Sequence, residues 1–133
     1  RQGSTRAPQW TGGGMVFAPT PRDYTIRLNK KEKRVALKSA LTSRVNENKF
    51  IVVDSLSFDE IKTKNFKAVM DNLKVSKALV VLDEESTNAA ISAKNIPTVK
   101  TARVNTINVY DILKYNTVVA TKAAVASIEE VYA

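Results

Sequence analysis

Ala78-Leu79-Val80-Val81-Leu82-Asp83 is an unbroken apolar run closed by an acid. A strand with one wet face alternates apolar and polar residues. This run does not, so it predicts burial on both faces. Such strands belong in a parallel sheet covered by helices on either side. Phe50-Ile51-Val52-Val53-Asp54 repeats the pattern upstream, and Thr117-Val118-Val119-Ala120 gives a further strand. Thr98 to Val104 alternates weakly and carries Lys100 and Arg103, which predicts an edge strand.

Between these strands the apolar period lengthens. Leu37, Leu41 and Val45 fall four apart, with Ala36 and Ala40 beside them, predicting a helix over 30–47 capped by Asn29. Lys31, Arg34 and Lys38 occupy its wet face. Phe66, Val69, Met70 and Leu73 predict a second helix over 64–74, capped by Thr63. Ser86 caps a short helix through Ala93, which Pro97 stops. Asn108 caps one or two turns through Leu113. Thr121 caps a last helix with Ala124, Val125, Ile128, Val131 and Tyr132 on its apolar face. The expected fold is α/β: a three-layer α/β/α body over 29–133 with a mainly parallel four-stranded sheet, plus an extended basic N-terminal arm over 1–28.

A body of this length suits one domain and needs no staples. With no cysteine and no histidine, disulfides, the common zinc sites and Ser–His or Cys–His nucleophiles are all excluded. Neither G-x-G-x-x-G nor G-x-x-x-x-G-K-[ST] occurs, so the sequence holds no nucleotide cradle of those kinds. No apolar run of about 18 residues predicts a membrane span. Asp54, and Asp83 with Glu84 and Glu85, lie at strand carboxyl ends, where α/β sheets hold ligands. They allow a receiver- or phosphatase-like magnesium enzyme. The better match is acids placed before a helix, where its dipole favours them.

The first 34 residues are of another kind. They hold all four glycines and three of the four prolines. They also hold the only tryptophan, Trp10, and eight basic residues against two acidic ones. Of the net charge of +8, they carry +6. Charge so one-sided points to a polyanion. Arg1, Arg6, Arg22, Arg27, Lys30, Lys31, Lys33 and Arg34 can meet phosphates, and Lys38 extends the basic face. Gly3, Gly12, Gly13 and Gly14 leave backbone N–H groups bare to a phosphate. Trp10, Phe17 and Tyr24 can stack on unpaired bases, or Trp10 and Phe17 can pack onto the body. Pro8, Pro19 and Pro21 stiffen an extended path. A membrane surface is the weaker match, because the arm lacks an amphipathic apolar face. Composition alone does not choose RNA over DNA.

The residues of the arm do choose by resemblance. Arg1-Gln2-Gly3-Ser4-Thr5-Arg6-Ala7-Pro8-Gln9-Trp10, then Gly12-Gly13-Gly14 and Phe17-Ala18-Pro19-Thr20-Pro21-Arg22, resemble the bacterial large-subunit ribosomal protein L-four family. Lys30-Lys31 with Ala36-Leu37-Lys38-Ser39-Ala40-Leu41, Lys62-Thr63-Lys64 and Ser92-Ala93-Lys94-Asn95-Ile96-Pro97 continue it. The resemblance implies a structural rRNA-binding protein of the large subunit, with no catalytic role, no cofactor and no small-molecule substrate. Its implied partners are large-subunit rRNA and neighbouring large-subunit proteins, and its implied place is the cytoplasmic ribosome. In that family an internal loop threads into rRNA and helps line the peptide exit tunnel. Residues 1–28 correspond to the returning limb of the loop, whose tip lies upstream, as does the family's first strand and helix. A start at Arg1 fits a piece of a longer chain. Thr11 stands where the family commonly has arginine, so that position offers no cation here.

Overall fold

A computed structural model describes residues 3–83 and 86–132. Arg1 of the expected interface, and Glu84 and Glu85 of the acidic run, lie outside the described residues. The chain runs α1 (Lys30–Asn46), β1 (Phe50–Val53), α2 (Thr63–Asn72), β2 (Ala78–Leu82), α3 (Thr87–Ala93) and β3 (Val99–Arg103). A 3-10 turn (Val104–Thr106), α4 (Val109–Lys114), β4 (Thr117–Thr121) and α5 (Lys122–Tyr132) follow. Strand order is β1-β4-β2-β3, and every pairing is parallel. Val118 of β4 sits between Phe50 and Leu79, and Leu79 faces Lys100 of β3.

The central strands divide their side chains between two cores, as a three-layer body requires. Leu79, Val81, Val118 and Ala120 pack with Leu37 and Ala40 of α1, Ile112 of α4 and Ala124 of α5. Ala78, Val80, Leu82 and Val119 pack on the other face with Phe66 and Met70 of α2 and Ala89 and Ala93 of α3. Burying each large side chain contributes about 1.5–3 kcal/mol, so these two cores carry the fold.

Four expectations need correction. Phe50–Val53, predicted buried on both faces, forms the second edge of the sheet, and Val52 is half exposed. Strand order decides this, and no local pattern encodes it. On α1, Val45 and Ala36 are exposed, while Arg44 joins Leu37 and Ala40 in the buried row. Seven helical residues return to within about 20° of the starting direction, whereas eight overshoot by about 80°. Thr63 is the first residue of α2 rather than its cap, a position Lys62 holds without a side-chain bond. Val131 of α5 lies exposed.

Helix ends follow local chemistry. Glu32 accepts the Asn29 N–H at 3.1 Å, the returning half of a capping box. The Asn108 side chain accepts the Asp111 N–H at 2.8 Å, and Thr121 Oγ1 accepts the Ala124 N–H at 3.2 Å. With no glycine in the body, α1 and α2 close through Asn48 and Lys74, each at φ 55°. In both, two backbone bonds tie the turn: Asn48 to Val45 and Lys49 to Arg44, then Lys74 to Asp71 and Val75 to Met70.

Candidate nucleic-acid interface

Residues 3–29 contain no helix or strand, and all but Ala7 are exposed. The extended path expected through Pro8 is interrupted. Trp10 N–H donates to the Ala7 carbonyl at 2.9 Å, and Gly14 N–H to the Pro8 carbonyl at 2.8 Å. The chain thus folds back over 7–14. Gly12 and Gly13 take φ 97° and 71°, where side chains are strained, and a Cβ on Gly14 would lie 2.7 Å from that of Pro8. The glycine triplet is therefore used to close this turn.

The aromatic residues of the strip face solvent. Trp10 is 62% exposed and Phe17 96%, which removes the alternative that they pack onto the body. The Arg22 guanidinium lies 4.2 Å from the centre of the exposed Tyr24 ring. Asp23 turns inward on its own loop, accepting the Thr25 N–H at 2.8 Å and the Thr25 hydroxyl. Those bonds hold its carboxyl below the ordinary aspartate value. Glu32 is likewise engaged at Asn29. Neither acid therefore reaches the cations around it.

Arg6, Arg22, Arg27, Lys30, Lys31, Lys33, Arg34 and Lys38 are all exposed, and among the described residues none makes an ion pair. Lys30, Arg34 and Lys38 fall four apart on α1 and share one face. Cations crowded at a helix start oppose its dipole, a conflict that an anion placed there relieves.

The body uses its cations differently. Arg44 is buried, and its fork donates to the Ile112 carbonyl at 3.0 Å and the Leu113 carbonyl at 2.9 Å. Its remaining nitrogen meets Glu47 at 2.9 Å. The guanidinium thereby satisfies two end carbonyls of α4 and pins that helix to α1. Hydrogen bonds from Lys49 and Ser43, with the nearby Lys49 and Arg44 charges, bring the Glu47 carboxyl down to about 2. Lys100 of β3 meets the buried Asp111 at 2.6 Å, where Asn108 also donates at 2.8 Å. Burial pushes the Asp111 carboxyl up. The Lys100 and Asn108 bonds and the Lys100 and Lys114 charges outweigh it, leaving it below the ordinary value.

A basic and aromatic group escaped the sequence reading. Lys114 Nζ lies 5.4 Å from the Tyr110 ring centre and 5.9 Å from that of Tyr115. Lys77 Nζ lies 5.8 Å from Tyr115. The clue was available in Tyr110 and Lys114, one helical turn apart.

At the strand carboxyl ends, Asp54 and Asp83 line one cleft with Ser57, Ser86, Asn88 and Thr121. Ser86 is the cap residue of α3, but its hydroxyl donates to Asp83 instead of accepting from the helix. Among the described residues no group of three His, Cys, Asp or Glu side chains could hold a metal ion. Nor is any described helix long and apolar enough to cross a membrane.

A three-layer α/β body entered through an exposed cationic strip is the class of protein these features define. The model of the ribosomal protein L4/L1 family matches residues 1–131, and the chain belongs to that family. It is 71% identical over 133 residues to the "Large ribosomal subunit protein uL4" of Agathobacter rectalis and 68% to that of Lachnoclostridium phytofermentans. To that of Acetivibrio thermocellus it is 53% identical over 135 residues. Each match takes in all of this chain and 65% of the relative, so the chain spans about two-thirds of their length. The family is one of ribosomal structural proteins and not of enzymes, and the phosphatase-like alternative through Asp54 and Asp83 falls with it.

Proposed function

We propose that this chain serves as a structural constituent of the large ribosomal subunit, binding rRNA through residues 1–28 and the start of α1. The body over 29–133 anchors that strip and meets neighbouring large-subunit proteins. The observation that carries this is the set of eight exposed cations without ion pairs among the described residues, interleaved with exposed Trp10, Phe17 and Tyr24. A cationic strip locked into internal pairs would argue the reverse. Arginine forks and lysines supply phosphate contacts, and the rings supply stacking surfaces for unpaired bases. The relatives are named as large-subunit proteins, which supports rRNA as the polyanion.

Binding to a large-subunit rRNA transcript, measured from low to high salt, tests this. Six neutralised phosphates give a slope of log K against log salt of about −4 to −5. Replacing Arg22, Arg27, Lys30 and Lys31 together by alanine flattens that slope by about 3. A wild-type response indifferent to salt overturns the reading.

A further inference from the structure

We propose that the amino end of the sheet carries a second RNA contact, where an unpaired base stacks on Tyr110 and adjoining phosphates meet Lys114 and Lys77. This rests on the rRNA reading above and adds to it a site on the folded body.

An all-parallel sheet gathers the residues that precede its strands at one end. The Lys77 carbonyl accepts the Thr117 N–H at 3.2 Å, so Lys77 stands at the heads of both β2 and β4. The Thr98 carbonyl accepts the Ala78 N–H at 3.2 Å, and the Lys49 carbonyl the Val118 N–H at 2.9 Å. Helix α4 ends at this same edge, because Tyr115 and Asn116 alone separate it from β4. Lys77 and Lys114 thus converge on the buried Tyr115 ring, and Lys114 also reaches Tyr110.

The availability of each group decides the assignment. Tyr110 is 68% exposed. Asp111, the one acid on α4, is buried and bonded to Lys100 and Asn108, so it is not open to an outside partner. Among the described residues Lys77 and Lys114 make no ion pair. Ammonium groups 5–6 Å from ring centres are at the outer limit of cation–π attraction and can swing onto a phosphate. Tyr110 is an exposed ring with Lys114 beside it, and Lys77 lies across the neighbouring Tyr115 ring; a stacking surface with cations close by is what single-stranded RNA requires.

The place of this patch makes it independent of the strip. The strip enters α1 at Lys30, and Arg44 fixes α4 near the other end of α1, about 20 Å along the helix. Two separated contacts held by one folded body multiply in affinity when one RNA spans both.

Full-length variants of this chain and a large-subunit rRNA transcript test the proposal. Lys77→Ala with Lys114→Ala makes the salt slope shallower by about 2. Tyr110→Ala weakens binding by about tenfold without changing the slope, and Tyr110→Phe retains wild-type affinity. An Arg22→Ala, Arg27→Ala, Lys31→Ala variant is the reference for the strip. If the patch variants keep wild-type affinity and slope while the strip variant loses both, the second contact is wrong and the rRNA reading stands. If the wild-type chain fails to bind the transcript, both fall.

Discussion

Residues 3–29 hold every glycine of the chain and not one buried side chain; residues 30–132 hold no glycine and the whole core. The first stretch leaves its aromatics and arginines to solvent. The second places arginine inside and pairs it with helix carbonyls. The same residue type thus does opposite work. Where apolar area is buried, a cation must have its charge answered internally. Where none is buried, nothing offsets the entropy of ordering, and the charge stays available to an outside partner.

The sharpest test of this contrast is a pair of truncations of a ring. Phe66→Ala removes a fully buried ring and is expected to cost about 3–5 kcal/mol in urea unfolding. Phe17→Ala removes a ring that touches little, and its midpoint is expected to move by less than about 0.5 kcal/mol. Equal losses would mean that the strip is part of the fold.

Arg44→Ala comes next, at about 2–3 kcal/mol, because the Ile112 and Leu113 carbonyls lose their donors. Arg22→Ala is expected to leave stability unchanged and weaken only RNA binding. A smaller effect follows from pH. The Asp111 carboxyl lies below its ordinary value, so its contribution is complete above about pH 4 and lost as pH falls through the depressed value. Lys100 is raised by Asp111, and its contribution is lost only at strongly alkaline pH. Unfolding midpoints at pH 7 and pH 3 check this: Asp111→Asn should narrow the difference between them. The least effect is a gain. Lys74→Gly relieves a left-handed backbone and is expected to stabilise by about 0.5–1 kcal/mol, and Asn48→Gly by less, since asparagine tolerates that conformation.

Much of the fold was legible because its strands are apolar without interruption. β2, with five buried residues, announces itself, and Asn29, Asn108 and Thr121 mark helix starts by cap chemistry. Strand order was not legible, since β1 and β4 look alike as runs yet one is an edge and the other central. Nor was Arg44, whose buried position depends on carbonyls 68 and 69 residues away. Of the proposed interface, the charge and aromatic content were plain in the sequence. The turn over 7–14 was not, because its glycines read as freedom when their work is to let Gly14 lie against Pro8.

Chain order and sheet order are out of step. Among the described strands, β4 joins the two halves of the sheet yet follows the other three along the chain, and β1 pairs with β4 alone. The pairing of Phe50–Val53 with Thr117–Thr121 therefore closes a gap of more than 60 residues. So distant a pairing makes closing the sheet slow beside the formation of its helices.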